Sequence, residues 1–169
     1  MALTLLLDLD DTLLANDIDA FLPVYLRELS GALLAYTDPE NMVRFLLQAT
    51  NEMIANRQPD RTLKEVFDAS FYPALGLEAQ DLEGVLRRFY SLDFPKLKKL
   101  TRPIPEAVAL VEEAFRRGYR VVIATNPVFP CTAIEQRLDW AGLPPDRYAF
   151  DLITSYENFH FTKPQTCLL

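Results

Sequence analysis

The chain has 169 residues, 50% of them hydrophobic and 24% charged, enough to bury the core of one or two small domains. Its formal charge of -7 excludes a general nucleic-acid or anionic-membrane binder, because the long-range field repels phosphate backbones and acidic lipids. Two cysteines, Cys131 and Cys167, and the lone His160 exclude a disulfide framework and a zinc cluster and point to a reducing cytoplasm.

The opening "MALTLLLDLDD" lacks a basic leader, and its apolar run is too short for a signal peptide or a membrane span. Leu3 to Leu9 is nearly continuous in apolar character, which predicts a central parallel strand covered on both faces. The period then becomes helical: Ile18, Phe21, Leu22, Tyr25, Leu26, Leu29 and Leu33 share one stripe, with Pro23 placing the start near Ala20 or a kink there. Asp38 and Pro39 read as N-cap and first residue of a second helix. Thr62 and Glu65 form a capping-box signature before a third, and Leu82, Val85, Leu86 and Phe89 mark a fourth.

No strand is expected within this helical stretch, and the Pro-rich "TRPIPE" marks its exit. Pro105 then opens a helix closed by Gly118, "YRVVIATN" predicts a second buried strand, Pro130 to Ala141 another helix stopped by Gly142, and "AFDLITS" a third strand. The expected fold is therefore α/β: a Rossmann-like parallel-sheet core built discontinuously from residues 1–15 and 101–169, with an α-helical bundle, 16–100, inserted after the first strand. The Tyr and Phe residues of the insertion are expected in its core, Cys131 as a helix-start residue, and His160 in a loop.

In an open parallel sheet, ligands sit beyond the carboxyl ends of the strands, where Asp8 and Asp10 fall. Two acids one residue apart in extended chain point roughly the same way, so the pair needs a cation or a shared proton. Mg²⁺ is the natural candidate, a hard ion that prefers oxygen ligands. A carboxylate can also attack phosphorus while a second acid protonates the leaving alcohol and later activates water.

"DLDDT" at residues 8–12, with its apolar strand before it, resembles the first motif, Asp-x-Asp-x-Thr, of the haloacid dehalogenase (HAD) superfamily of hydrolases. Thr125 in "VVIATN" is similar to the family's second motif, and Lys163 in "FTKPQ" to the third. The resemblance implies that Asp8 is the nucleophile and Asp10 the general acid/base. It implies that Mg²⁺ is held by the Asp8 side chain and the Asp10 main-chain carbonyl, that Thr125 and Asn126 hold phosphoryl oxygens, and that Lys163 offsets the negative charge. The inserted bundle resembles the family's mobile cap, and the substrate class is a small phosphorylated metabolite.

The second acid separates chemistries within the family: haloacid dehalogenases do without it, so Asp10 favours phosphoryl transfer, with phosphomutase and dehalogenase-type hydrolysis as alternatives. Asp11 stands where many members have Gly. The family's fourth motif, an acidic pair that completes the Mg²⁺ site, should follow the lysine by a helix and a strand; Glu157 precedes Lys163, and the chain ends at Leu169. The expectation is a fragment, an altered end, or a non-catalytic module. Family topology then exposes an apolar edge at Leu3 to Leu9, through which the chain could self-associate as a homo-oligomer or bind a partner.

Overall fold

The computed structural model describes residues 3–165, so Cys167 lies outside the described residues. Three short strands, β1 (Thr4–Leu7), β4 (Arg120–Ile123) and β5 (Leu152–Ile153), form one parallel sheet in the order β1-β4-β5. Thr4 pairs with Arg120 and Leu7 with Ile123, and the Ala124 amide donates to the Leu7 carbonyl at 2.7 Å. This register brings Asp8 level with the Ala124–Thr125 end of β4.

Among the described residues nothing pairs with the other side of β1. Among the described residues β1 lies at the edge of the sheet, with Leu3 52% and Leu6 51% exposed, which agrees with the apolar edge expected at Leu3 to Leu9; the reading of a strand covered on both faces is corrected. Continuous hydrophobicity records what a strand could bury, and the described elements cover only the face carrying Leu5 and Leu7. The predicted third strand shrinks to two residues, although Thr154 extends its contact by donating to the Ile123 carbonyl at 3.0 Å.

Between β1 and β4 lies the helical segment. The helix α1 (Ile18–Ala32) begins two residues before the expected Ala20, because the Asp17 carboxylate accepts from the Asp19 and Ala20 amides; Pro23 is accommodated inside it. Next come α2 (Pro39–Ala55), capped by Asp38, and α3 (Leu63–Leu75), opened by the complete Thr62–Glu65 capping box. The fourth helix, α4 (Ala79–Arg88), runs into a π-turn at Phe89–Asp93 and a 3₁₀ segment at Phe94–Leu100. A feature absent from the sequence reading closes the segment: β2 (Leu14–Asn16) pairs antiparallel with β3 (Thr101–Pro103), so "TRP" is a strand and not only an exit loop. Pro103 is tolerated because it ends a strand in a two-stranded ribbon, where no second neighbour needs its missing N–H.

The remaining helices are α5 (Pro105–Arg116) and α6 (Cys131–Trp140). Gly118, at φ 71°, supplies the left-handed residue that ends α5, letting the Tyr119 amide return to the Ala114 carbonyl at 3.0 Å. Helix α6 joins the sheet to the helical segment: Trp140 stacks on Phe94 at 5.2 Å, and Phe94 meets Phe21 edge-on at 6.3 Å, all three rings buried.

A second join lies beyond β5. The Leu63 and Lys64 amides, at the first turn of α3, donate to the Phe159 and Tyr156 carbonyls at 2.8 and 2.7 Å. Asn56, the C-cap of α2, donates from Nδ2 to the His160 carbonyl at 2.8 Å.

Candidate active site

The turn after β1 is organised by Leu9, which is fully buried and whose carbonyl accepts from the Leu13 and Leu14 amides at 2.9 and 3.0 Å. Burying Leu9 turns its two neighbours away from the core, so Asp8 and Asp10 stay half-exposed. Asp11 follows at φ 53°, a left-handed conformation that Asp tolerates better than most residues, and its Oδ1 accepts from the Asn16 amide at 2.9 Å. The position at which related motifs often carry Gly is the one where this chain needs a positive φ.

Lys163 extends its ammonium to Asp8, Nζ to Oδ1 at 3.1 Å. The Lys163 amide donates to Asn126 Oδ1 at 3.1 Å, leaving the Asn126 amide nitrogen without a bond among the described residues. Thr125, 3% exposed, lies two residues beyond β4, and its carbonyl accepts from Thr154 Oγ1 at 2.7 Å. The structure thus joins Asp8, Lys163 and Asn126 in one bonded chain, with Thr125 adjacent and Asp10 two residues from Asp8.

Asp10 has partners that sequence reasoning missed. Its Oδ1 accepts from Asn16 Nδ2 at 2.8 Å and forms an ion pair with Arg137 Nη2. Arg137 comes from α6, where it shares the apolar face with Ala133, Ile134, Leu138 and Ala141; a cation at that spacing was the available signal. Its guanidinium lies 5.7 Å from the Phe21 ring centroid and 5.5 Å from that of Phe129. Burial pushes the Arg137 pKa down to about 10, with the Asp8 carboxylate acting the other way, so the group remains a cation at neutral pH. Both Asp8 and Asp10 are therefore salt-bridged, to different cations from different elements.

Other candidates lie elsewhere. Glu157 accepts from the Cys131 amide at 3.0 Å and so caps the start of α6. Cys131 opens that helix, as expected, and burial with the Glu135 and Glu157 carboxylates holds its thiol up at about 11. His160 lies in the loop expected for it, its carbonyl engaged by Asn56. Among the described residues no three His, Cys, Asp or Glu side chains converge as a metal cluster, and no helix is long and apolar enough to cross a membrane.

A parallel sheet with polar groups beyond the carboxyl ends of β1 and β4, interrupted after β1 by a helical insertion, defines a mixed α/β protein of the open-sheet class. Residues 5–134 match the model of the haloacid dehalogenase-like hydrolases, and the chain belongs to that family. The solved structure of a predicted phosphoglycolate phosphatase from Haemophilus somnus 129pt is similar over 98% of this chain and 67% of its own, at 18% identity and a TM-score of 0.45. No curated protein matches.

Proposed function

We propose that the chain is a Mg²⁺-dependent phosphomonoester hydrolase that works through an aspartyl-phosphate on Asp8. The observation that carries this reading is the pairing of Asp8 with Lys163 at 3.1 Å, beside an Asp10 held by a buried arginine. An attacking carboxylate needs one free oxygen and a nearby cation to draw the anionic phosphate in, and Asp8 keeps Oδ2 for the attack while Lys163 engages Oδ1. Residues 1–15 and 101–169 would then act as the catalytic core and 16–100 as its cap.

In the first half-reaction an Asp8 oxygen attacks phosphorus, the ester P–O bond breaks, and protonated Asp10 gives its proton to the departing alkoxide. In the second, Asp10, now a carboxylate, takes a proton from water, whose oxygen attacks the phosphorus and releases phosphate from Asp8. Thr125 and Asn126 would hold the equatorial oxygens, Asn126 with its amide nitrogen, since its Oδ1 is engaged by the Lys163 amide. Lys163 would counter the charge that gathers on those oxygens.

The donors fit Mg²⁺ in chemistry, since the Asp8 carboxylate and the Asp10 carbonyl are hard oxygens, and Mg²⁺ is commonly bound through one or two carboxylates, waters and the substrate's own phosphate. The ion would supply charge neutralisation of the phosphoryl group. A second reading, a module without turnover, is favoured by one observation: no third carboxylate converges on Asp8 and Asp10 among the described residues.

Acid-quenched intact-mass analysis after incubation with acetyl phosphate and Mg²⁺ separates the two. The hydrolase reading expects a phosphoryl adduct that is lost in Asp8→Asn and accumulates in Asp10→Asn, where the water-activating base is gone. Hydrolysis in Asp8→Asn equal to the native chain would reject it.

A further inference from the structure

A cavity of about 230 Å³ lies between the helical segment and the loops that leave the polar site. Its wall takes Ile18 from just after the carboxylate turn, Val128 and Phe129 from just after Thr125–Asn126, and Tyr156 from the loop leading to Lys163. No lining residue carries a charge. Three of its polar groups are already engaged, the Tyr25 and Tyr90 hydroxyls with each other at 3.0 Å and Thr50 Oγ1 with the Leu46 carbonyl at 2.8 Å, and the Tyr72 and Tyr156 hydroxyls are the remaining ones on its wall.

A carboxylate entering this space would meet no cation, and a polyol would find only the Tyr72 and Tyr156 hydroxyls in place of water, whereas hydrocarbon would lose no hydrogen bonds. The rim is accessible, with Ile18 47% and Leu47 40% exposed. The space is also next to the chemistry. Phe129 packs one way against Tyr25 at 5.5 Å between centroids and the other way against the Arg137 guanidinium that holds Asp10. Native interiors seldom keep voids larger than a water molecule, and an apolar cavity of about 150 Å³ already accepts benzene.

We infer that this cavity receives the alkyl or aryl part of the substrate, so that the ester hydrolysed is the phosphate of an apolar alcohol and not of a hydroxy acid or a sugar. The inference rests on the hydrolase reading above.

The test is a series of n-alkyl phosphates, ethyl to hexyl, whose leaving groups are matched in acidity, run against 2-phosphoglycolate with the full chain and Mg²⁺. Burial of each added methylene should raise kcat/KM roughly fourfold, a gain of about 250-fold over the four methylenes from ethyl to hexyl, with phosphoglycolate the poorest substrate. Leu47→Trp, a substitution at a rim position 40% exposed, should flatten that dependence. Direct titration with 1-naphthol, which has no phosphate, reads the cavity without the chemistry. Naphthol binding that Leu47→Trp weakens, with no ester turned over, would uphold the cavity and overturn only the hydrolase reading. Turnover that is flat with chain length, or highest for phosphoglycolate, would overturn the inference while leaving the hydrolase intact.

Discussion

Arg137 and Asp10 form an ion pair of unequal partners: the guanidinium side chain is 2% exposed and the carboxylate 37%. The cost of burial therefore falls on the arginine, and the acid keeps both a route to solvent and its bond from Asn16. A buried cation offered to one oxygen of a half-exposed acid fixes that acid's orientation more than it holds the fold together.

Replacing Arg137 with methionine, similar in length and apolar, should separate these contributions. Asp10 is not stranded by the loss, so unfolding by denaturant should stay within about 1 kcal/mol of the native chain. If Asp10 is the acid/base, turnover should fall at least about tenfold, because that group is no longer held in place. Arg137→Ala opens a hole beside Phe21 and Phe129 instead, and should lose roughly 2–4 kcal/mol. An unfolded methionine variant would mean that the pair is structural.

Lys163→Met removes the cation from Asp8 in a pair whose side chains are 37% and 44% exposed. Such pairs contribute at most about 1 kcal/mol, so thermal stability should hardly change. The rate constant should drop by roughly 100-fold or more if the ammonium meets charge in the transition state. Steady-state kinetics would decide it, and unchanged kcat would remove Lys163 from the chemistry.

Chelation should abolish turnover, and Mg²⁺ should restore it. If the Asp8 carboxylate and the Asp10 carbonyl are the protein ligands, calorimetry on the free chain should detect weak binding that strengthens when inorganic phosphate is present. Tight binding without phosphate would show that another acid joins the site.

The Cys131 thiol, held up at about 11 against its ordinary 9.0, should be alkylated at pH 8 on the order of 100-fold more slowly than an exposed cysteine, as read by peptide mass mapping that separates it from Cys167. The sign for stability follows. Between 9.0 and about 11 the unfolded thiol has lost its proton and the folded one has not, so the unfolded state binds fewer protons and stability falls as pH rises through that window. Below 9.0 this group contributes no pH dependence.

Asp11, at φ 53°, stores backbone strain and offsets part of it by accepting from the Asn16 amide. Asp11→Gly relieves the strain and loses the bond, and should leave stability within about 0.5 kcal/mol. Asp11→Val keeps the strain, loses the bond, and should cost roughly 1–2 kcal/mol. Equal stabilities for the two variants would show that the turn relaxes away from the left-handed region.

The elements most legible in the sequence were those with local punctuation. Asp38–Pro39 and the Thr62–Glu65 box name their helix starts because capping is settled within three residues. Asp8, Asp10, Asn126 and Lys163 could be singled out because motif order survives in the chain. Arg137 offered only a cation on an apolar face, since its role depends on α6 passing under the carboxylate turn, a contact between residues far apart in sequence; Asn16 is six residues from Asp10, but its bond depends on how the turn between them folds. The β2–β3 ribbon was hidden for the same reason: three residues carry no period, and only pairing makes "TRP" a strand. Nor does a run of leucines tell an edge from a centre, as Leu6 shows.

The bonds from Asn56, Leu63 and Lys64 to the segment 156–160 tie the helical insertion to the stretch of chain that delivers Lys163. If the insertion swings away to admit a ligand, it must either break those bonds or draw the lysine loop after it, so access to Asp8 and the charge beside Asp8 vary together. Linkage makes this reciprocal: an anion that holds the ammonium in place favours the closed insertion by the same free energy with which closure favours the anion. On the proposed hydrolase reading, departure of phosphate would then loosen the insertion that retained it, without any separate trigger.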